Sequence, residues 1–186
     1  MACDVFLSEG YAQASMSTIA AKVGGSKGTL YNYFKSKEEL FSACVSRHCA
    51  WQSDAMFSIL VEGMDVRAAL NKIGRNYLSL VLSDKNLSMF RLVVAEAQRE
   101  PEISRLFYES GPRRGLNRLA EFLADRAARG EISVADPHAA ANTLVALCKN
   151  RLITIRLCNY APEPSAKEIE AEVKSAVDTF LKLHAA

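Results

Sequence analysis

Helix start and stop signals recur along the whole chain, and strand signals do not. Ser15, Ser26, Ser36, Asp65 and Ser165 each stand just before an apolar run with helical spacing. That is where a side-chain oxygen satisfies an otherwise unpaired amide. Asp136-Pro137 adds a cap followed by proline in the first turn. Gly10, Gly24-Gly25 and Gly130 fall where such runs should stop. Alternating β-branched segments bounded by turn residues are absent. The expected class is all-α, with about nine helices by periodicity.

The first helix ends near Ser8, the second carries Ile19, Ala20 and Val23, and the third covers Lys27 to Phe34. Ser36-Lys37-Glu38-Glu39 reads as a capping box, with Glu39 reaching back to the Ser36 amide. The fourth helix should run to about Val61, with Trp51 packing between two domains. Beyond the break at Gly63-Met64-Asp65, a helix carries Leu70, Ile73 and Tyr77. Ser83 to Asn86 reads as a polar loop before the helix of Phe90 and Val94. A helix opening at Pro101 should kink or split at Gly111-Pro112. Two long helices follow, from about Pro137 and from near Ser165.

Composition excludes several classes. The 186 residues are 49% hydrophobic and 24% charged, an ordinary globular mix rather than a disordered chain or a disulfide-dense miniprotein. A net charge of +2 argues neither for nor against a nucleic-acid partner. No apolar run reaches membrane-spanning length, so no membrane partner is expected. Cys3, Cys44, Cys49, Cys148 and Cys158 lack CxxC spacing. They read as reduced thiols of a cytoplasmic protein. No His/Cys cluster has metal-ligand spacing, and no nucleophile elbow, P-loop or dinucleotide fingerprint is present. The chain is therefore not expected to be an enzyme or to need a metal or cofactor.

Ser15 to Phe41, SMSTIAAKVGGSKGTLYNYFKSKEELF, is the informative stretch. Two short helices joined by a tight glycine turn form a helix-turn-helix. The second presents Lys27, Thr29, Tyr31, Asn32 and Tyr33 while burying Leu30 and Phe34. A short polar helix on such a platform fits a DNA major groove. Lys22, Lys27, Lys35 and Lys37 fall between Ser15 and Lys37 with no acidic residue, concentrating the pull toward phosphate. Ser15, Thr29, Tyr31, Tyr33 and the Lys37 amide suit phosphate contacts, and Lys27, Thr29 and Asn32 suit base edges.

SKGTLYNYFKSKEELF, preceded by IAAKVGG, closely resembles the DNA-binding domain of the TetR family of bacterial transcriptional regulators. Two departures stand out. Gly25 occupies a turn position where the family usually has a hydrophobic residue. The chain also starts at Met1 partway into the family's longer first helix, so either the start is truncated or the domain works with a stub. Pro101-Glu102-Ile103 through Gly130, then Asp136-Pro137, resembles the AefR-like variant of the C-terminal domain.

The resemblance implies a DNA-binding domain at residues 1–45 and a ligand-binding and dimerisation domain at 46–186. Its candidate DNA-contacting set is Ser15, Lys27, Gly28, Thr29, Tyr31, Asn32, Tyr33 and Lys37. It implies a homodimer through the last two helices, a palindromic double-stranded operator, and a small-molecule effector that releases it. Candidate lining residues for an apolar effector are Tyr77, Phe90, Val94, Phe107, Tyr108, Phe122 and Cys148. For each of these, ordinary core packing outweighs that role. A helical scaffold or ligand-binding protein that has lost DNA binding is the rival reading. A helical-bundle enzyme is disfavoured by the lack of paired Glu-x-x-His motifs.

Overall fold

The computed structural model describes residues 2–57 and 63–185. Described residues form ten α-helices and no strand. They are α1 (Ala2–Glu9), α2 (Met16–Lys22), α3 (Lys27–Tyr33), α4 (Lys37–Phe57), α5 (Val66–Val81), α6 (Asp84–Glu96), α7 (Pro101–Tyr108), α8 (Arg114–Ala128), α9 (Pro137–Leu157) and α10 (Ala166–Leu183). One π-helical turn, Glu109–Arg113, separates α7 from α8. It contains Gly111 and Pro112, where the sequence predicts a kink or split, and the split accounts for the tenth helix.

Caps fix most boundaries. Ser15 accepts from the Thr18 amide at 3.1 Å, Ser26 from Thr29 at 3.0 Å and Asp65 from Ala68 at 2.9 Å. Asp136 accepts from both His138 and Ala139, with Pro137 in the first turn. Ser165 and Glu168 close a complete capping box. Gly10 and Gly130 end α1 and α8 with φ of +81° and +73°, a backbone conformation that side chains disfavour.

Two boundary expectations need correction. At α4 the Glu39 amide donates to Ser36, but the Glu39 carboxylate accepts from the Lys35 amide at 2.7 Å rather than from Ser36. The box is thus wound one residue further back. Ser83 to Asn86 is not a loop: α6 begins at Asp84, and the Ser83 hydroxyl accepts from the Asn86 amide. A serine cap lets the chain turn tightly between buried Leu82 and Leu87, where polarity alone suggests a longer connection. The predicted end of α4 near Val61 and the packing of Trp51 lie outside the described residues and side chains.

The helices gather into two compact units, Met1–Trp51 with Ser88–Gly111, and Gln52–Leu87 with Pro112–Ala186. The first is built around three rings. Phe6 and Phe41 are fully buried with centroids 4.9 Å apart, and Tyr11 lies 5.0 Å from Phe41. Leu40, Val45, Met89, Val93, Ile103 and Phe107 complete that core. One bond in this unit overturns a prediction: Cys3 of α1 and Cys44 of α4 are joined as a disulfide, with Cα atoms 5.4 Å apart. The spacing rules for metal and redox motifs miss it because the partners are 41 residues apart and meet only when α1 packs on α4.

In the second unit α10 packs against α5 and α9, and α8 against α9. Leu70, Leu78, Leu123, Leu144, Val173, Val177 and Phe180 lie at its centre. Closest approach falls at Gly74, where an added Cβ would sit 2.6 Å from Val173 Cγ1. No helix among the described residues is long and apolar enough to cross a membrane.

Candidate nucleic-acid interface

Between α2 and α3 the chain turns over Val23 to Ser26, and Gly24 takes φ of +76°. The Val23 amide closes α2 on Ile19, and the Gly25 amide bonds the Ala20 carbonyl at 3.0 Å. At position 25 a Cβ would meet nothing within 4 Å, so the turn itself does not require glycine there and an α carbon without a side chain forfeits no contact at Cβ. Ile19 and Ala20 are buried, so α2 is the anchored helix of the pair.

The second helix is different. Not one residue of α3 is buried. Leu30 and the C-cap Phe34 are partly covered against the core, and Lys27, Gly28, Thr29, Tyr31, Asn32 and Tyr33 face solvent. Tyr33 is 75% exposed and Tyr31 43%. Two large aromatic side chains held in water on one short helix need a partner surface to be stabilising. Lys27 Nζ sits 5.8 Å from the Tyr31 ring centroid, which holds the ammonium on the exposed face. Ser15 is exposed at the start of α2, its hydroxyl 2.8 Å from Thr18 Oγ1. Ser15 to Tyr33 thus presents hydroxyls, an amide and a cation on the two helices of one motif.

Lys37 plays a different part from its neighbours. Its Nζ donates to the Tyr11 carbonyl at 2.9 Å and lies 4.3 Å above the Tyr11 ring. The ammonium is committed within the head formed by α1 to α4, so a phosphate contact here would fall to the backbone amide at the start of α4. Tyr11 was legible only as the residue after the Gly10 stop. In the structure it is the residue that organises the start of α4. It is 5% exposed, and its hydroxyl donates to Glu38 at 3.0 Å, with Glu100 at 3.4 Å. Burial, then those two carboxylates, raise the phenol well above the ordinary tyrosine range, so it remains a donor. An aromatic directly after a glycine stop was the available signal.

Glu38 is held below the usual glutamate range, first by its own backbone amide and then by the Ser36 hydroxyl. A carboxylate with a depressed folded-state pKa stabilises above its unfolded value, and that stability is lost as pH falls. The head should therefore lose thermal stability as pH drops from about 5 toward about 3. Glu38→Gln should flatten that dependence in melts across the series, and an unchanged slope would refute the assignment.

The seven effector-lining candidates divide between the two units. Tyr77, Phe122 and Cys148 belong to the core of the second unit. Phe107 lies in the core of the first, 6.0 Å from the Phe90 ring, and Phe90, Val94 and Tyr108 are 37%, 55% and 54% exposed. Burial raises Tyr77, and it pushes the Cys148 thiol up to about 12. An open cleft of about 670 Å³ along α5 and α10 holds none of the seven. Arg67, Lys72, Arg75 and Lys174 alternate there with Glu170 and Asp178, a charged lining unlike an apolar site. Among the described residues no cluster of three or more His, Cys, Asp or Glu is placed to hold a metal ion.

A capped two-helix platform with an unburied second helix, in a chain with a further helical unit, defines a helix-turn-helix DNA-binding regulator. Residues 1–44 match the family model described as bacterial regulatory proteins of the TetR family. Residues 68–186 match the C-terminal domain of AefR-like transcriptional repressors. A TetR-family transcriptional regulator from Mesorhizobium loti superposes with a TM-score of 0.93 at 29% identity, covering 100% of this chain and 93% of that one. The flavonoid-responsive regulator FrrA superposes at 0.84 with 33% identity, covering 98% and 92%. The transposon Tn10 TetC protein of Escherichia coli is 31% identical over 84 residues, 45% of this chain and 42% of that protein. The match thus spans under half of that curated relative. The chain belongs to the TetR family of bacterial transcriptional regulators.

Proposed function

We propose that this chain is a homodimeric repressor that reads an inverted-repeat operator through paired α3 helices and leaves it when a small apolar effector binds. The carrying observation is α3 itself, a helix with no buried residue that exposes Lys27, Thr29, Tyr31, Asn32 and Tyr33 between a serine cap and a partly buried Phe34. Residues 1–45 act as the DNA-binding domain and 46–186 as the effector and dimerisation domain. Thr29, Asn32 and Lys27 reach base edges. Ser15, Tyr31, Tyr33 and the amides of Gly28 and Lys37 hold phosphates.

Dimerisation runs through α9 and α10. Val145, Ile153 and Ile155 of α9 and Leu181 of α10 are only partly covered, and Leu183 is 65% exposed. A second copy of this helix pair would bury that surface in a four-helix bundle. Two α3 helices one DNA turn apart would then match operator symmetry. The effector is an apolar, aromatic molecule bound by the C-terminal domain, with Tyr77, Phe122 and Cys148 as its first candidates. A relative named as flavonoid-responsive, similar over nearly the whole chain, supports that class. Release follows if the effector binds better to the conformation in which the α3 spacing mismatches the operator. Such a protein works in the cytoplasm.

Selection of the purified chain on a random duplex pool near 0.15 M ionic strength tests this reading. An enriched inverted repeat is expected. No enrichment from a folded protein would favour the scaffold or ligand-binding alternative. On the recovered duplex, Tyr33→Ala should weaken binding to all sequences alike, whereas Asn32→Ala should cost about 1–3 kcal/mol and relax preference at one base pair. Equal loss across sequences for both variants, measured by competition titration, would remove Asn32 from the base-reading set.

A further inference from the structure

We infer that Cys3 and Cys44 form a reversible oxidation site whose closure tightens the grip of the head on DNA. The inference rests on the DNA-reading function proposed above. The two Cα atoms are 5.4 Å apart, within the range a disulfide spans without backbone movement. The other three cysteines are poor rivals. Cys49 and Cys148 are buried, with thiols pushed up by desolvation to about 11 and about 12. Cys158 is exposed at the end of α9, in the second unit.

What the bond encloses gives it a role. Residues 3 to 44 become one covalent ring containing α1, α2, α3 and the first two turns of α4. The whole helix-turn-helix lies inside it. α3 has no buried residue of its own; it packs on α2, and α2 packs on α1. The position of α3 relative to the start of α4 therefore depends on α1 staying seated on α4. Phe6 holds the middle of α1 there, and the Cys3–Cys44 bond holds its first turn. Closing the ring removes conformations in which α1 lifts away, and fewer incompetent conformations mean higher apparent affinity.

The oxidant is a hydroperoxide, and the chemistry balances. Cys3, half-buried and so the accessible partner, attacks the peroxide as its thiolate. The O–O bond breaks, leaving a sulfenic acid on Cys3 and releasing one alcohol, or water when the oxidant is hydrogen peroxide. Buried Cys44 then displaces the sulfenic hydroxyl as water and forms the S–S bond. The two thiols lose two electrons and two protons, and the peroxide gains them. Two molecules of a small thiol such as glutathione reverse the step and leave as their own disulfide.

The test uses the full chain carrying Cys158→Ser, which removes the exposed thiol. Hydrogen peroxide is titrated in, thiols are counted with a mass-adding maleimide after denaturation, and the same samples are titrated with the duplex recovered by selection. Peroxide should block two thiols, and the reduced protein should bind about tenfold more weakly than the oxidised one, a coupling of ordinary size. Adding Cys3→Ser, a change at a half-buried position, should abolish both the thiol loss and the redox dependence. Equal affinity in the two states would overturn the switch while leaving DNA binding intact. An unchanged redox dependence in the Cys3→Ser protein would overturn it too, by placing the effect on another thiol. No binding in either state would overturn the DNA reading, and the switch with it.

Discussion

Phe41→Ala should unfold the DNA-binding head and leave the core of the second unit standing. The Phe41 ring is fully buried and lies 4.9 Å from Phe6 and 5.0 Å from Tyr11. Removing it takes out the centre of a three-ring cluster that joins α1, the α1–α2 connection and α4. Large-to-small changes of this kind cost about 3–5 kcal/mol, because the cavity adds to the lost transfer energy. Net stabilities of about 5–15 kcal/mol are typical of whole domains, and a unit this small sits toward the lower end, where that loss takes most of it. None of the residues in the Leu70–Val173–Phe180 core belongs to the cluster. Hydrogen exchange read by segment should show α1 to α4 losing protection while α5, α8, α9 and α10 keep theirs. DNA binding should vanish with the head. Retained protection in α1 to α4 would show that the ring cluster is not what holds the head together.

The second large effect is expected at Gly74→Val. A Cβ there would lie 2.6 Å from Val173 Cγ1, closer than real contacts come. Val173 is itself fully buried and β-branched on a helix, so it has no other low-energy rotamer to retreat into. The new side chain must push α5 away from α10. Overpacking of this kind costs about 1–3 kcal/mol, and a branched residue at the point of closest approach belongs at the upper end. The same variant has a diagnostic use. If α9 and α10 form the dimer interface, moving α10 should weaken self-association as well as lower the melting temperature, which sedimentation at graded concentrations would read. Melting and association both unchanged would mean that α5 and α10 do not pack as described.

Much of this was legible in the sequence because helix ends are local. A serine or aspartate oxygen satisfies amides two or three residues ahead, so Ser15, Ser26, Asp65, Asp136 and Ser165 announce their helices without reference to the rest of the chain. The exposed face of α3 was legible for a related reason. Its polar residues leave only Leu30 and Phe34 for packing, and a helix of seven residues offers few other ways to sit. Where local chemistry offers two solutions, the chain takes the one that spacing does not predict. Glu39 reaches the Lys35 amide rather than the Ser36 amide, and a tight serine-capped turn replaces the loop expected at Ser83 to Asn86.

Side-chain roles that depend on a distant partner were decided otherwise. The lysine count around α3 treats Lys37 as one cation among four, yet its ammonium is folded onto Tyr11. The effector candidates are aromatic and apolar positions on middle helices. Periodicity shows that a residue faces inward, but it does not show which core it faces, and the chain sends these residues to two.

By itself, then, the sequence determined an all-α chain, the places where most helices begin and end, and a helix-turn-helix with a basic, hydroxyl-rich second helix. Each of these is set by interactions spanning one to four residues. Tertiary structure alone decided that Cys3 meets Cys44, that Tyr11 joins Lys37 and Glu38 at the start of α4, and that Gly74 lets α10 close on α5. Those contacts join residues far apart along the chain, and only the packing of whole helices brings them within reach.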